Sequence, residues 1–571
     1  MARERANVFR PLIPSAGSGR RLPSPPAGGE GKKSQPLRIS GVVQRPKRPP
    51  NRLSFEQVDG FFFTALSLFP LHGRATIPPI SGAYDPLRCA MRNATRMCLV
   101  CVFDGLRPDM VRRDWTPNLC RLRDRGVWFT QSHCVFPSVT RTNAAALASG
   151  SFAGTHGIAG NTVWRPEVEP ERVLNTGEVS DLRRLHALDH PLLLVPTLGE
   201  VLADAGLRTV TVGTGTSGCG YLQHPEAGST QGLVYHHAFT TPPELAGLIT
   251  AGLGPPPSSD DYGTLAVARV DYGARALTDV LIPSAQPALA MFWITVPDGL
   301  HHRFGLGSPE AVYAIQETDK VFGRMLDRLV VQGFGENLDL IVTADHGYAT
   351  VSSHIDIRAE LVRAGLKQAT DSKDVVLCAD GGSCLVYADD SVDLEALSAY
   401  FMRQPWAAAV FSRGGSVPGT LALRAVGCDG PHAPSLMVGL AWEDRPNQHG
   451  IRGVSVTPGG SSAGTGNHGG ISPFEMRNML LAAGPHFRRG LVSDAPCGIV
   501  DVAPTVLRCL GFSPPQEWDG RVLLEALKDG GSVPGAHTVE ETVAFAGGRQ
   551  TLTLARAGGV SYTASARTLR E

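Results

Sequence analysis

Residues 136–150 read Phe136-Pro-Ser-Val-Thr-Arg-Thr-Asn143 and then Ala144-Ala-Ala-Leu-Ala-Ser-Gly150. The alanine-rich half is typical of a helix, because alanine and leucine are strong helix formers, and Thr140 comes just before it. The first turn of a helix has unpaired N–H groups and a partial positive charge, which together attract anions. Thr140 is therefore either an ordinary N-cap residue or a hydroxyl that attacks a phosphate held at the helix start.

Three apolar runs elsewhere in the chain are typical of buried parallel strands, and each leads to an aspartate. The runs are residues 97–103, 288–296 and 338–343, and the aspartates are Asp104, Asp298 and Asp345. Ligands of an open parallel sheet bind beyond the carboxyl ends of its strands. We therefore expect the three carboxylates to converge, although each one alone is more often a turn or cap residue.

Three histidines accompany these aspartates. His302 follows Asp298 by four residues, and His346 follows Asp345 directly. His468 lies in a glycine-rich loop, where backbone freedom lets an imidazole point into a site. Mixed Asp and His ligands without cysteine suit Zn²⁺ best, with Mn²⁺ or Mg²⁺ as alternatives, and there are enough ligands for two ions.

A pair of metal ions suits phosphoryl transfer, which needs a deprotonated hydroxyl, shielded phosphoryl charge and a stabilised leaving oxygen. Metal coordination would lower the pKa of the Thr140 hydroxyl enough to make it a nucleophile at neutral pH. Asn143, one helical turn on, is predicted to offer its amide N–H to a phosphoryl oxygen. Arg141 either binds phosphate through its guanidinium or faces solvent.

These motifs together resemble the alkaline phosphatase superfamily, and specifically its type I phosphodiesterase/nucleotide pyrophosphatase family. The matching residues are Phe103-Asp104-Gly105, Phe136-Pro137, Thr140 to Asn143, Ser149-Gly150, His156-Gly157-Ile158, Asn161, Pro297-Asp298, His302, Asp345-His346-Gly347, His468-Gly469, Ala483-Gly484-Pro485 and Asp501-Val-Ala-Pro504. The resemblance covers roughly residues 95–530, and the order and spacing of the motifs make it specific.

The resemblance implies a dizinc hydrolase that cleaves small-molecule phosphoesters or phosphoanhydrides through a covalent intermediate on Thr140. One zinc would be held by Asp104, Thr140, Asp345 and His346, and the other by Asp298, His302 and His468. The predicted substrate-binding residues are Asn143, which is also assigned to catalysis, Arg141 and Asn161.

The chain departs from the family beside the nucleophile, where the common Thr-Phe-Pro-Asn is Thr140-Arg-Thr-Asn143. The aromatic residue that stacks on a base is absent, so nucleotide preference stays open. The alternatives are a phosphonate hydrolase, of the kind that acts on phosphonoacetate, and a phosphomonoesterase of the same superfamily. A sulfatase is disfavoured, because Cys134-Val-Phe-Pro-Ser138 lacks the arginine of the sulfatase motif. No predicted ligand is missing, which disfavours a catalytically dead binding module.

Alternating apolar runs and helical segments predict an α/β fold. The resemblance implies an alkaline-phosphatase-like central, mostly parallel sheet flanked by helices, with an inserted smaller lobe. Residues 1–90 are rich in Pro, Gly, Ser and Arg, so they are predicted to form a disordered N-terminal tail. The remaining predicted units are a catalytic domain at 91–530, with a substrate-facing insertion at 162–285 and a smaller lobe at 350–465, and terminal strands at 531–571.

Composition excludes several classes of partner. The 571 residues have a formal net charge of zero, so no global field favours nucleic acid or a membrane. The eleven cysteines are scattered, and the spacing of Cys98 and Cys101 has no second pair to complete a zinc–thiolate site. The apolar run at residues 61–70 is too short to span a bilayer. Without a recognisable signal peptide, we expect a cytoplasmic protein, and the oligomeric state stays open.

Overall fold

The structure is a computed structural model that describes residues 96–258, 266–533 and 535–571. The predicted disordered segment, residues 1–90, lies outside these described residues, and so does the apolar run at 61–70. No helix among the described residues combines the length and the apolarity that crossing a bilayer requires.

Among the described residues, nine strands form the central sheet of a mixed α/β fold. In sheet order they are Leu491–Ser493, Val127–Phe129, Leu480–Ala483, Leu338–Thr343, Met97–Phe103, Leu289–Ile294, Thr209–Gly213, Leu233–His236 and Phe239–Thr241. Five of the eight neighbouring pairs are parallel, and three are antiparallel. The predicted mostly parallel sheet is therefore confirmed.

The strand Met97–Phe103 lies at the centre of the sheet and is buried along its whole length. Its side chains alternate between two separate hydrophobic cores, one on each face of the sheet. The Thr140–Ser149 helix contributes to the first core and the Pro309–Leu329 helix to the second. Because helices cover both faces, the strand has no solvent-facing side, which explains why its sequence is an unbroken apolar run.

Several helices begin at residues that carry clear start signals in the sequence. Ser308 accepts a hydrogen bond from the Ala311 N–H at 3.2 Å and caps the long amphipathic helix, whose first residue is a proline. The α-helices are Pro117–Arg125, Thr140–Ser149, Ala153–His156, Val179–Leu188, Leu198–Asp204, Ser217–Leu222, Leu245–Leu253, Ala266–Arg275, Ile282–Ala285, Asp298–Phe304, Pro309–Leu329, Ile357–Arg363, Leu394–Arg403, Pro473–Met476 and Val502–Leu510. Residues 214–285 thus contain more helix than their Gly- and Pro-rich sequence indicates.

Two further sheets lie between residues 349 and 467. One consists of Trp442–Pro446, Arg452–Thr457, Ala349–His354 and Gly466–Asn467, and the other of Val375–Asp380, Ser383–Ala388, Leu436–Leu440, Ala407–Ser412 and Leu421–Ala422. The five-stranded sheet packs with the Ile357–Arg363 and Leu394–Arg403 helices around a third hydrophobic core. This region thus has its own core, while Gly466–Asn467 leads from it directly to His468.

The chain ends in a three-stranded antiparallel sheet made of His537–Phe545, Gly548–Ala557 and Val560–Arg570. The two turns between these strands contain Gly547-Gly548 and Gly558-Gly559, all with positive φ. Tight turns with positive φ favour glycine, so these pairs fix the turns that the sequence pattern indicates.

Candidate active site

The three strand-end aspartates meet at one edge of the central sheet. Asp104 directly follows the central strand, and the strands on either side of it lead to Asp298 and Asp345. The Asp298 N–H donates to the Asp104 carbonyl at 3.1 Å. The Gly105 N–H donates to Asp345 Oδ1 at 3.0 Å. The parallel order of the strands therefore brings the three residues together, as the sequence indicates.

The three histidines share one hydrogen-bonding pattern. Nδ1 of each faces a backbone carbonyl, that of Gly347 for His346 at 2.9 Å, of Ser138 for His468 at 2.9 Å and of Gly466 for His302 at 3.2 Å. A carbonyl oxygen can only accept, so Nδ1 carries the hydrogen. Such a backbone contact fixes the ring and leaves Nε2 as the atom available for a ligand.

Each of these Nε2 atoms faces a carboxylate. His346 Nε2 lies 3.2 Å from Asp345 Oδ2. The Nε2 atoms of His302 and His468 lie 3.3 and 3.4 Å from Asp298 Oδ1. Burial lowers the pKa of His346 well below its ordinary value, and it also lowers the pKa of His468, so both rings are neutral at pH 7. A neutral Nε2 lone pair facing a carboxylate is unfavourable, and a cation bound by both groups would remove the repulsion.

The carboxylates carry opposite pKa shifts. Burial, reinforced by the neighbouring Asp345 and Asp298, raises the pKa of Asp104 well above its ordinary value. Burial also raises the pKa of Asp345 to about 7. Burial alone would raise the pKa of Asp298 too, but the neighbouring His302 holds it well below its usual range. The Asp104 side of the site therefore carries uncompensated acidic groups, which a positive ion would stabilise.

Two buried oxygens on that side, Asp104 Oδ1 and Asp345 Oδ2, have no hydrogen-bond partner among the described residues. The ligand atoms of Asp104, Asp345 and His346 lie within 4.8 Å of one another, as do those of Asp298, His346 and His468. The carboxylate and imidazole donors of both groups fit divalent cations. His346 belongs to both groups, whereas the sequence assigns it to one, and His302 adjoins the second group through Asp298.

Thr140 is the first residue of its helix, and its side chain does not cap it. Val139 occupies the N-cap position, so the N-cap interpretation of Thr140 is wrong. The Thr140 side chain is buried, and Oγ1 lies 3.3 Å from His346 Nε2. The hydroxyl therefore faces the Asp104 side of the site, where an anion would also meet the N–H groups of the first helical turn other than those of Arg141 and Asn143, which already have acceptors.

The structure distinguishes the two asparagines that the sequence assigns to substrate binding. The Asn143 amide is fully buried, donates to the carbonyls of Val135 and Val139, and accepts from the Val135 N–H. Both of its donors are used, so Asn143 supports the loop before the helix rather than offering an N–H to a phosphoryl oxygen. Asn161 Oδ1 accepts from the Arg141 N–H at 3.1 Å, beside Thr140, and its Nδ2 group has no protein partner among the described residues. Asn161 is thus the better placed amide donor.

Arg141 follows Thr140 on the helix, and its side chain is partly buried. Its guanidinium lies against Gly177, where an added Cβ would be 3.6 Å from both Cζ and Nε. Nε is buried without a hydrogen-bond partner among the described residues. The Nε end of the Arg141 guanidinium therefore does not face solvent, which contradicts the solvent-facing interpretation for that part of the side chain.

Sequence reasoning missed two residues that hold the aspartates. Trp293 Nε1 donates to Asp104 Oδ2 at 2.9 Å, and the Tyr348 hydroxyl donates to Asp298 Oδ1 at 2.8 Å. Tyr348 also fills the space beside Gly105, where a Cβ would be 2.8 Å from its ring and φ is +71°. Their only signal in the sequence is a polar ring atom within an apolar run next to a predicted ligand.

Comparison with known sequences identifies one family. A sequence model described as type I phosphodiesterase / nucleotide pyrophosphatase matches residues 98–440, more than half of the chain. An uncharacterized pyrophosphatase/phosphodiesterase of Schizosaccharomyces pombe is 25% identical over 257 residues, which are 45% of this chain and 45% of that protein. The chain thus matches less than half the length of this curated relative.

Two solved structures of murine ectonucleotide pyrophosphatase/phosphodiesterase 5 have the same fold, each at 18% sequence identity. One is an inactive threonine-to-alanine variant in complex with AMP; it has a TM-score of 0.52 and covers 74% of this chain and 96% of the murine chain. The other has a TM-score of 0.53 and covers 76% and 100%. At this identity the likeness concerns the fold alone.

Proposed function

This chain belongs to the type I phosphodiesterase/nucleotide pyrophosphatase family, and on that basis we propose that it hydrolyses phosphodiester or phosphoanhydride bonds of small molecules by attack of Thr140. The observation that carries the proposal is the position of Thr140 Oγ1, buried at a helix start and 3.3 Å from His346 Nε2. The murine relative whose threonine-to-alanine variant is inactive supports the choice of a threonine.

We assign Asp104, Thr140, Asp345 and His346 to one metal ion and Asp298, His302 and His468 to the other. The orphaned oxygens of Asp104 and Asp345 support the first assignment, and the convergence of both imidazoles on Asp298 Oδ1 supports the second. The donor set favours Zn²⁺ over Mn²⁺ or Mg²⁺. Bound metal would lower the pKa of the attacking hydroxyl and neutralise charge on the phosphoryl and leaving oxygens.

The protein groups then have distinct roles. Thr140 Oγ1 loses its proton and forms a bond to phosphorus as the bond to the leaving oxygen breaks, and water later hydrolyses the phosphothreonine. The Asn161 Nδ2 group and those N–H groups of the first helical turn that have no acceptor within the protein stabilise the phosphoryl oxygens. Asn143 holds Val135 and Val139, so it sets the position of Thr140 without contacting the substrate.

Turnover of bis-p-nitrophenyl phosphate by the purified protein, before and after treatment with a chelator, tests this proposal. We expect hydrolysis that the chelator abolishes and Zn²⁺ restores. Hydrolysis that resists full metal removal would overturn the metal assignment. Turnover confined to p-nitrophenyl phosphate or to phosphonoacetate would instead identify a phosphomonoesterase or a phosphonate hydrolase.

A further inference from the structure

The guanidinium of Arg141 differs from those of Arg107 and Arg521, two arginines that also point inward. Arg107 donates to Asp109 and to the carbonyls of Tyr348 and Arg452. Arg521 likewise donates to Glu525 and to the Pro496 carbonyl. The Arg141 side chain has no such bond to any described residue, and its Nε is buried. A buried charged donor without an acceptor is costly, so an unpaired one beside a nucleophile points to a ligand.

Arg141 does not pair with the acidic groups within its electrostatic reach. Asp380 accepts hydrogen bonds from the backbone N–H groups of Asn161 and Thr162 and from the Thr162 hydroxyl. Asp104 accepts from Trp293 through Oδ2, and its Oδ1 has no partner among the described residues. Burial raises the pKa of both acids, and the positive charge of Arg141 opposes that rise. Arg141 therefore adds one positive charge to this side of the site and keeps its donors free.

The wall around Arg141 is rigidly built. Gly177 packs against the guanidinium, and its carbonyl accepts from the Gly218 N–H at 2.8 Å and from the Ser217 hydroxyl at 3.3 Å. The Arg141 guanidinium therefore lies against a backbone segment that is itself hydrogen-bonded to the Ser217–Leu222 helix.

We propose that Arg141 binds a second oxyanion of the substrate, separate from the phosphoryl group that Thr140 attacks. A guanidinium is planar and forms paired hydrogen bonds with phosphate or carboxylate. The guanidinium lies within electrostatic reach of Asp104, so the oxyanion would be bound on the Asp104 side of the site. The substrate class is then a phosphoanhydride, or a phosphonate bearing a carboxylate, rather than a simple diester. This inference rests on the proposed function for the reaction, but the binding subsite can be tested without it.

Binding of non-hydrolysable ligands to the zinc-loaded full chain tests the subsite. Methylphosphonate has one phosphonate group, methylenediphosphonate has two, and phosphonoacetate has a carboxylate in place of the second. Calorimetry should show that Arg141→Gln weakens the binding of methylenediphosphonate, of phosphonoacetate or of both by about 10- to 100-fold. This is the usual effect of losing a charged pair of hydrogen bonds. The loss for methylphosphonate should be several times smaller, and Arg141→Lys should recover part of the lost affinity.

The diacid whose binding is weakened identifies the second oxyanion as phosphate or carboxylate. The matched control is Arg324→Gln. Arg324 is an exposed arginine of the Pro309–Leu329 helix, and it pairs with Asp271. The affinities of this variant for all three ligands should stay at wild-type values. Metal content and melting temperature, measured on each variant, exclude loss of zinc or of folding as the cause.

Equal weakening of all three ligands by Arg141→Gln would overturn the inference, because Arg141 would then bind the transferred phosphoryl group itself. No weakening of any ligand would overturn it too. If the ligand preference holds but no phosphoester is hydrolysed, the subsite stands and the proposed function falls. If a phosphoester is hydrolysed but the ligand preference is absent, the proposed function stands and the subsite falls.

Discussion

One strand, Leu338–Thr343, has a cluster of potential metal ligands near each of its ends. Asp339, at its start, lies with His486 and Cys509, and Asp345, just beyond its end, lies with Asp104 and His346. In both clusters the ligand atoms are within 4.8 Å of one another. The spacing of the ligand atoms therefore does not distinguish the two clusters.

Hydrogen bonding distinguishes the Asp339 cluster from the Asp345 cluster. Asp339 accepts from the His486 N–H at 3.0 Å and from its Nδ1–H at 2.6 Å, and His486 Nε2 accepts from Arg96 at 3.0 Å. Asp104 and Asp345, in contrast, each keep a buried oxygen without a partner among the described residues. A satisfied polar network is structural, whereas an unsatisfied buried one indicates an external ligand. The candidate site is therefore recognised by buried carboxylate oxygens that lack a hydrogen-bond partner.

The largest expected effect follows from removing the hydroxyl. Thr140→Ala should lower kcat on bis-p-nitrophenyl phosphate by at least about 10³-fold, since no other hydroxyl can form the intermediate. Both metal ions should stay bound, because the Asp and His ligands are intact. Thr140→Ser, which keeps a hydroxyl, should retain measurable turnover. Thr140→Ala activity close to that of the wild type would eliminate the nucleophile assignment.

The candidate site and the Asp339 cluster are compared directly by matched substitutions. Asp298→Asn should lose one of the two metal ions and about 10²-fold in turnover, because it removes a carboxylate on which two imidazoles converge. Asp339→Asn should keep both ions and instead lower the free energy of unfolding by about 1–3 kcal/mol, since it breaks a buried hydrogen-bonded pair. Metal analysis and denaturant unfolding measure both outcomes. Full zinc occupancy in Asp298→Asn would remove the ligand assignment.

The pH dependence of the metal-free protein provides a third test. The pKa of Asp345 is raised to about 7 by burial, so between about pH 4 and pH 7 the folded metal-free protein binds more protons than the unfolded chain. The contribution of Asp345 to the stability should therefore fall as pH rises across that range, by on the order of 4 kcal/mol. Relative to Asp345→Asn, the metal-free wild type should lose stability over this range, and added Zn²⁺ should reduce that loss. The same pH dependence in the metal-free wild type and in Asp345→Asn would contradict the unsatisfied-acid interpretation.

The smallest effect concerns a residue that only orients a ligand. Tyr348→Phe removes the hydrogen bond to Asp298 but keeps the ring that packs beside Gly105. Zinc affinity should fall by about 10-fold, the effect typical of losing a group that orients a metal ligand. Tyr313→Phe, at an exposed tyrosine, is the control and should change nothing. Unaltered zinc affinity in Tyr348→Phe would show that Asp298 needs no such support.

Individual elements show how far sequence reasoning reaches. The run at 338–343 is a strand with those same bounds, because a continuous apolar run of this length in an α/β chain is typical of a buried parallel strand. Asn143 shows the limit. Its position one turn after Thr140 suggests a substrate ligand, but the backbone of Val135 and Val139 takes both of its amide donors. The loop before the helix brings these two carbonyl acceptors to Asn143, and spacing along a helix does not reveal the path of that loop.

The sequence by itself determined the parallel α/β sheet, the three aspartates at its carboxyl edge and the threonine at a helix start. These follow from local rules, since apolar periodicity and strand direction depend on neighbouring residues. Only the tertiary structure decided that His346 lies in both ligand groups, that Asn161 rather than Asn143 has a free amide, and that Arg141 is unpaired. The physical reason is that burial and hydrogen-bond satisfaction are set by residues far apart in the chain, which meet only once it has folded.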